Sequence, residues 1–150
     1  MMKMIINRTF LVSLIVAFIL LSACSKKKQK ILIIGDSISI GYTPFIAKHF
    51  TDKTIISHNP GNAQHTGTGL EKIDEWLGEE KWDIIQFNWG LWDLCYRHPD
   101  SKVQGNRDKE NGEITYSIDE YASNLDSIVS ILQTKTEAKL VFVTTTGAPW

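Results

Sequence analysis

Four apolar residues, Ile31 to Ile34, lead straight into Gly35-Asp36-Ser37. A run of that length suits a buried strand and is too short for a helix, and glycine supplies the tight turn after it. The serine hydroxyl therefore stands just past the carboxyl end of a strand, where open α/β sheets place their ligands. A hydroxyl is a weak nucleophile until a base removes its proton. If it attacks an acyl group, the oxyanion that forms needs fixed donors, each contributing roughly 2.7–4 kcal/mol in a well-studied hydrolase. Four histidines are available as bases: His49, His58, His65 and His98. None has an acidic residue three positions before it, and none has metal-ligand spacing with another. Each reads first as an exposed or structural histidine, with His65 the best placed to touch substrate.

The elements that must position Ser37 follow from hydrophobic pattern. Strands are expected at 30–35, 54–58, 83–88 and 139–145. Helical spacing runs from Pro44 to about Phe50, with Thr43 as N-cap and Pro44 at the first helical position. A second helix covers Leu70 to Leu77, and a third about 118–134, opened by a capping box of Ser117 and Glu120. Strand and helix alternate, which predicts a parallel sheet with helices on both faces. The polar connection from Gly90 to Tyr116, with turns at Gly105-Asn106 and Asn111-Gly112, has a length that is functional or disordered in most proteins. Cys95 reads as a small buried apolar residue. Gly67-Thr68-Gly69 lacks a third glycine and a preceding strand, which sets a dinucleotide site aside. Trp89, Trp92 and Trp150 lie at or near strand ends; core packing is the first expectation for them and stacking on sugar rings the second.

The amino terminus reads as an address. Lys3 and Arg8 precede an apolar stretch, Phe10 to Leu21, that is too short to span a bilayer as a helix. It suits a signal-peptide core. It ends in Leu21-Ser22-Ala23-Cys24, which resembles the bacterial lipoprotein signal. That resemblance implies cleavage after residue 23, lipid on Cys24 and anchoring in a bilayer. The serine at 25 implies the outer membrane of a Gram-negative cell, facing periplasm or exterior. Residues 24–29 form a basic tether, and its reach of about 20 Å holds the domain of residues 30–150 close to the lipid surface. With Cys24 lipidated, Cys95 has no partner for an internal disulfide. Losing Lys3 and Arg8 with the signal takes the net charge from −1 to −3, and nothing there suggests nucleic acid.

Gly35-Asp36-Ser37 after a first strand resembles the first block of the SGNH hydrolases, the GDSL esterase/lipase family. Asn59-Pro60-Gly61-Asn62-Ala63 after the second strand resembles their second block, and Asn88-Trp89-Gly90-Leu91-Trp92-Asp93 after the third resembles their third. The resemblance covers essentially all of residues 30–150. It implies a flavodoxin-like three-layer α/β/α sandwich, for which we expect strand order 2-1-3-4. It also implies an ester substrate, a nucleophilic Ser37 without metal or organic cofactor, and an oxyanion hole from the N–H groups of Ser37 and Gly61 with an asparagine amide. Aligned on Gly90 and Asp93, the family's asparagine falls on Trp92, so the role passes to Asn88 at the end of the third strand. Asp36, Asn62, His65 and Trp92 are further candidates for contact with substrate. The family's Asp-x-x-His, its acid and base, is absent from this chain, and so the C-terminal part is expected to be missing and the 150-residue product inactive. The substrate expectation is a carbohydrate O-acyl ester, with lipid acyl esters as the competitor. Two other readings stand beside it: a lipid-anchored, non-catalytic glycan-binding lipoprotein, and a phosphate-binding flavodoxin-like domain, which leaves Gly61 and Asn88 unexplained.

Replacing Cys24 by Ala is expected to abolish labelling by acyl-chain precursors in cells and to release or misprocess the protein; unchanged labelling would refute the anchor.

Overall fold

The computed structural model of the protein describes residues 27–101 and 107–144. The signal segment, Cys24 with its basic neighbours up to residue 26, the Gly105-Asn106 turn and Trp150 lie outside these residues. Four short apolar runs form strands β1 (Gln29–Ile34), β2 (Thr54–His58), β3 (Ile84–Phe87) and β4 (Lys139–Phe142). All pair in parallel, in the order β2-β1-β3-β4. This is the expected flavodoxin-like arrangement.

Side chains alternate across a strand, and the register shows which residues share a face. Leu32 and Ile34 stand level with Ile85 and Phe87. They are buried against Ile73, Trp76 and Leu77 of helix α2 (Thr66–Leu77) and against Ile128 and Leu132 of helix α4 (Ile118–Lys135). The other face takes helix α1 (Ser37–His49), whose Tyr42 hydroxyl accepts a hydrogen bond from Gln86 Nε2 at 2.7 Å. Burial holds that hydroxyl's pKa above the ordinary tyrosine value, against the opposing effect of the Gln86 bond, with the charge of Asp36 adding to the rise. One helix on one face and two on the other give the three layers.

The helix starts depart from expectation in an informative way. α1 begins at Ser37 rather than at Pro44, because Asp36 is its cap: Oδ1 accepts from Ile38 N at 2.9 Å. Thr43 is no cap but a buried helical residue, and its hydroxyl donates to the Ser39 carbonyl at 2.6 Å. Pro44 sits inside the helix, where its ring nitrogen has no proton for the carbonyl of Ile40. α2 begins at Thr66, four residues early, capped by His65 Nδ1 accepting from Thr68 N at 3.2 Å. α4 keeps the expected capping box, and Ser117's hydrogen bonds hold the Glu120 carboxyl below its usual range. The Gly90–Tyr116 connection contains an unforeseen one-turn helix, α3 (Leu91–Leu94), and an antiparallel bridge between Arg97 and Glu113. Cys95 is half-buried rather than buried, because it follows α3 in this surface excursion instead of a core element.

Glycines in the helices separate packing from propensity. A Cβ on Gly69 would lie 2.7 Å from the Trp89 ring, whereas one on Gly41 would meet nothing within 4 Å. Gly69→Ala is expected to destabilise by about 1–3 kcal/mol through overpacking, and Gly41→Ala to stabilise by roughly 0.5–1 kcal/mol. Thermal unfolding of the two variants checks the contrast; equal effects would refute the packing of α2 on Trp89.

Candidate active site

Parallel strands end on one edge, and here three of them end level. Asn59 N donates to Ile33 O at 3.0 Å, Asn88 N to Ile34 O at 3.1 Å and Val143 N to Phe87 O at 2.9 Å. The first residue past each strand is thus tied to its neighbour before the chain turns away. Gly35 leaves β1 at the centre of this edge. A side chain there would collide with Ser39, its Cβ lying 2.6 Å from Ser39 Oγ. Next comes Asp36, buried as the cap of α1, and then Ser37, the first residue of the helix and exposed. The first N–H groups of a helix have no partner inside it. Asp36 takes that of Ile38, but the Ser37 N–H and hydroxyl make no hydrogen bond among the described residues.

The loop after β2 wraps around the same turn. Gly35 N donates to Asn59 Oδ1 at 2.9 Å, and Gly35 O accepts from Ala63 N at 3.0 Å. Between these ties Gly61 adopts φ +70°, a region that favours glycine. It is exposed, and its N–H is unpartnered among the described residues. Asn62 Oδ1 accepts from Gln64 N at 2.8 Å, which supports Gln64 at φ 49°.

The third loop gives a mixed result. Asn88 is half-buried and its Nδ2 donates to Val143 O, so one of its two amide protons serves the sheet and one is left. Trp89 is core, with Nε1 donating to Ala63 O at 3.2 Å. Trp92 lies under the Arg97 guanidinium, 3.8 Å from its ring centroid. The two line one wall of a cavity of about 310 Å³, bounded also by His98, Ser101, Glu113 and Thr115. Neither Ser37 nor Gly61 lines it.

Asp93, read from the sequence only as an alignment mark, proves to be a structural centre. It is fully buried, and its Oδ1 accepts from both the N–H and the hydroxyl of Thr66, at 2.8 and 2.5 Å. Its carbonyl accepts from Thr115 N and Tyr116 N. Asn124 donates to the same Thr66 hydroxyl at 3.0 Å, and Tyr121 donates to Trp89 O at 3.0 Å. Burial, and then the charge of Asp93, raise the Tyr121 pKa above its ordinary value. One carboxylate thereby joins the start of α2 to the third loop.

No histidine among the described contacts bonds to Ser37. His58 Nε2 lies 2.7 Å from Ser39 Oγ, and its Nδ1 lies 2.7 Å from the Asn59 carbonyl. A carbonyl only accepts, so Nδ1 donates to Asn59 O, while the Ser39 hydroxyl beside Nε2 gives its own proton to the Asp36 carbonyl at 2.7 Å. Two residues along a helix are about 200° apart around its axis, so the side facing His58 is opposite to that of Ser37. His65 caps α2 and meets the Tyr116 ring edge-on at 5.4 Å. His98 Nδ1 accepts from Asp100 N at 3.2 Å, and His49 packs on Phe50. Among the described residues no three His, Cys, Asp or Glu gather as a metal site.

No family model matches the chain. It is similar to a protein named Arylesterase from Vibrio mimicus, with 30% identity over 107 residues, covering 63% of this chain and 53% of that protein. The chain spans about half the length of this curated relative.

The Asp93 network is testable by stability. Asp93→Ala removes a charged acceptor of two hydrogen bonds and is expected to destabilise by about 1.5–3 kcal/mol, while Asp93→Asn, which retains an acceptor oxygen, is expected to cost less. Denaturant titration measures both; a neutral Asp93→Ala would refute the role.

Proposed function

We propose that the protein is a serine-dependent ester hydrolase of the SGNH type, tethered to a membrane through lipid on Cys24. The observation that carries this reading is Ser37 itself: exposed at a helix start on the carboxyl edge of the sheet, with hydroxyl and N–H both unspent. The unpartnered N–H of Gly61 on the adjoining loop, and the likeness to an arylesterase, support it.

In the proposed reaction Ser37 Oγ bonds to the acyl carbon as a base takes its proton. The carbonyl oxygen becomes an oxyanion, held by the N–H groups of Ser37 and Gly61 and by the free amide proton of Asn88. The alcohol departs with the proton, leaving acyl-Ser37, and water repeats the exchange to release the acid. The described histidines make their contacts elsewhere, so the base is a group outside those contacts. Carbohydrate O-acyl esters are the proposed substrates.

A glycan-binding lipoprotein is the second reading. The tie between Asn88 and Val143, with no histidine bonded to Ser37 among the described residues, favours it.

An aryl acetate assay of the full-length protein separates the two. Ser37→Ala is expected to reduce turnover to background. Asn88→Ala is expected to lower kcat by about 100- to 1000-fold with KM barely changed, because the bond strengthens only in the transition state. Trp92→Phe should cost much less. The opposite ranking would assign the donor to Trp92, and small effects of all three would favour the binding protein.

A further inference from the structure

The Ser37 and Gly61 N–H groups lie on separate loops. They can act on one oxygen only if those loops keep a constant offset. Asn59 supplies that constraint. It is 2% exposed, and its groups are used in several directions. Its N–H is tied to β1 through Ile33 O, its carbonyl to His58 Nδ1, and its Oδ1 accepts from Gly35 N at 2.9 Å. Its Nδ2 faces Gly61 O at 3.2 Å and Pro60 O at 3.4 Å. The Pro60 carbonyl and the Gly61 N–H belong to one planar trans peptide and point in opposite directions. An amide that holds the carbonyl inward therefore turns the Gly61 N–H outward. The Ala63 N–H ties the same two loops through Gly35 O, but it does not reach the peptide that carries the Gly61 donor.

The geometry points to Asn59 as a positioning residue for the ester hydrolysis proposed above. One half of its side chain fixes the turn before Ser37, and the other half orients the Gly61 donor. It touches no reacting atom. The inference rests on the hydrolase reading of Ser37 and Gly61.

Asn59→Asp separates the two halves, since a carboxylate still accepts from Gly35 N but cannot donate to Pro60 O or Gly61 O. Assayed on an aryl acetate well below its unfolding midpoint, this variant is expected to lose about 100-fold in kcat, the scale of an ångström-level misplacement. KM should stay within about twofold of wild type. In ¹⁵N relaxation the Gly61 amide should lose order while the Gly35 amide remains protected from exchange. Asn59→Ala should release both. Wild-type kcat in Asn59→Asp, a loss confined to KM, or an unchanged Gly61 amide would each overturn the assignment. Should the wild type turn over no aryl ester and Ser37 resist fluorophosphonate labelling, the hydrolase reading fails by itself. The Gly61 amide then still decides whether Asn59 orients that peptide, with lost order supporting the strap and unchanged order overturning it.

Discussion

The end of the central strand is the constraint on which the rest depends. β1 is flanked by β2 and β3, and its last residues are buried, so the peptide that follows must find hydrogen bonds from protein rather than water. Gly35 meets that demand with a side chain and a backbone amide from the loop after β2, and with no side chain of its own to obstruct Ser39. Once that peptide is held, α1 must begin at the next residue but one. The serine then appears at the helix start, where donors are unspent.

The polar groups divide accordingly into those that are consumed and those that are not. Asp36, Ser39, Asn59, His58 and Asp93 are all bonded within the protein and build the edge. Ser37 and Gly61 are exposed, and the N–H groups of both, with the Ser37 hydroxyl, are unbonded among the described residues. An unbonded donor buried by folding is costly, but at a solvent-facing edge water satisfies it until a ligand arrives. Such positions are where a fold can hold reactive groups at little expense to its stability.

Much of this was legible in the sequence. The strands were readable because Ile31–Ile34, Ile84–Ile85 and Leu140–Val143 are apolar runs bounded by polar residues, and helical spacing identified the body of α4. The start of α1 was misread because Thr43-Pro44 carries the local signature of a helix opening. Asp36 competes for the same function and prevails, since the buried strand end needs the helix immediately. His65 and Asp93 were opaque for another reason. Their distant partners, Tyr116 in one case and Thr66 in the other, depend on how loops from different strands meet, and no local pattern encodes that. Asn59 lay in view within its Asn-Pro-Gly, but only the tie to Gly35, 24 residues earlier, reveals what its amide does.

The bridge between Arg97 and Glu113 closes the excursion after β3 with two backbone hydrogen bonds, at 3.0 and 2.9 Å. It works as a cinch that holds residues 97 and 113 together at the base of the excursion. Closing a longer loop adds only about 0.6 kcal/mol per doubling of its length. Insertions and deletions beyond the cinch are therefore nearly neutral for folding while they redraw the cavity wall beside Trp92. A protein built this way can reshape the wall beside Trp92 by lengthening or trimming a single loop, leaving the edge that carries Ser37 untouched.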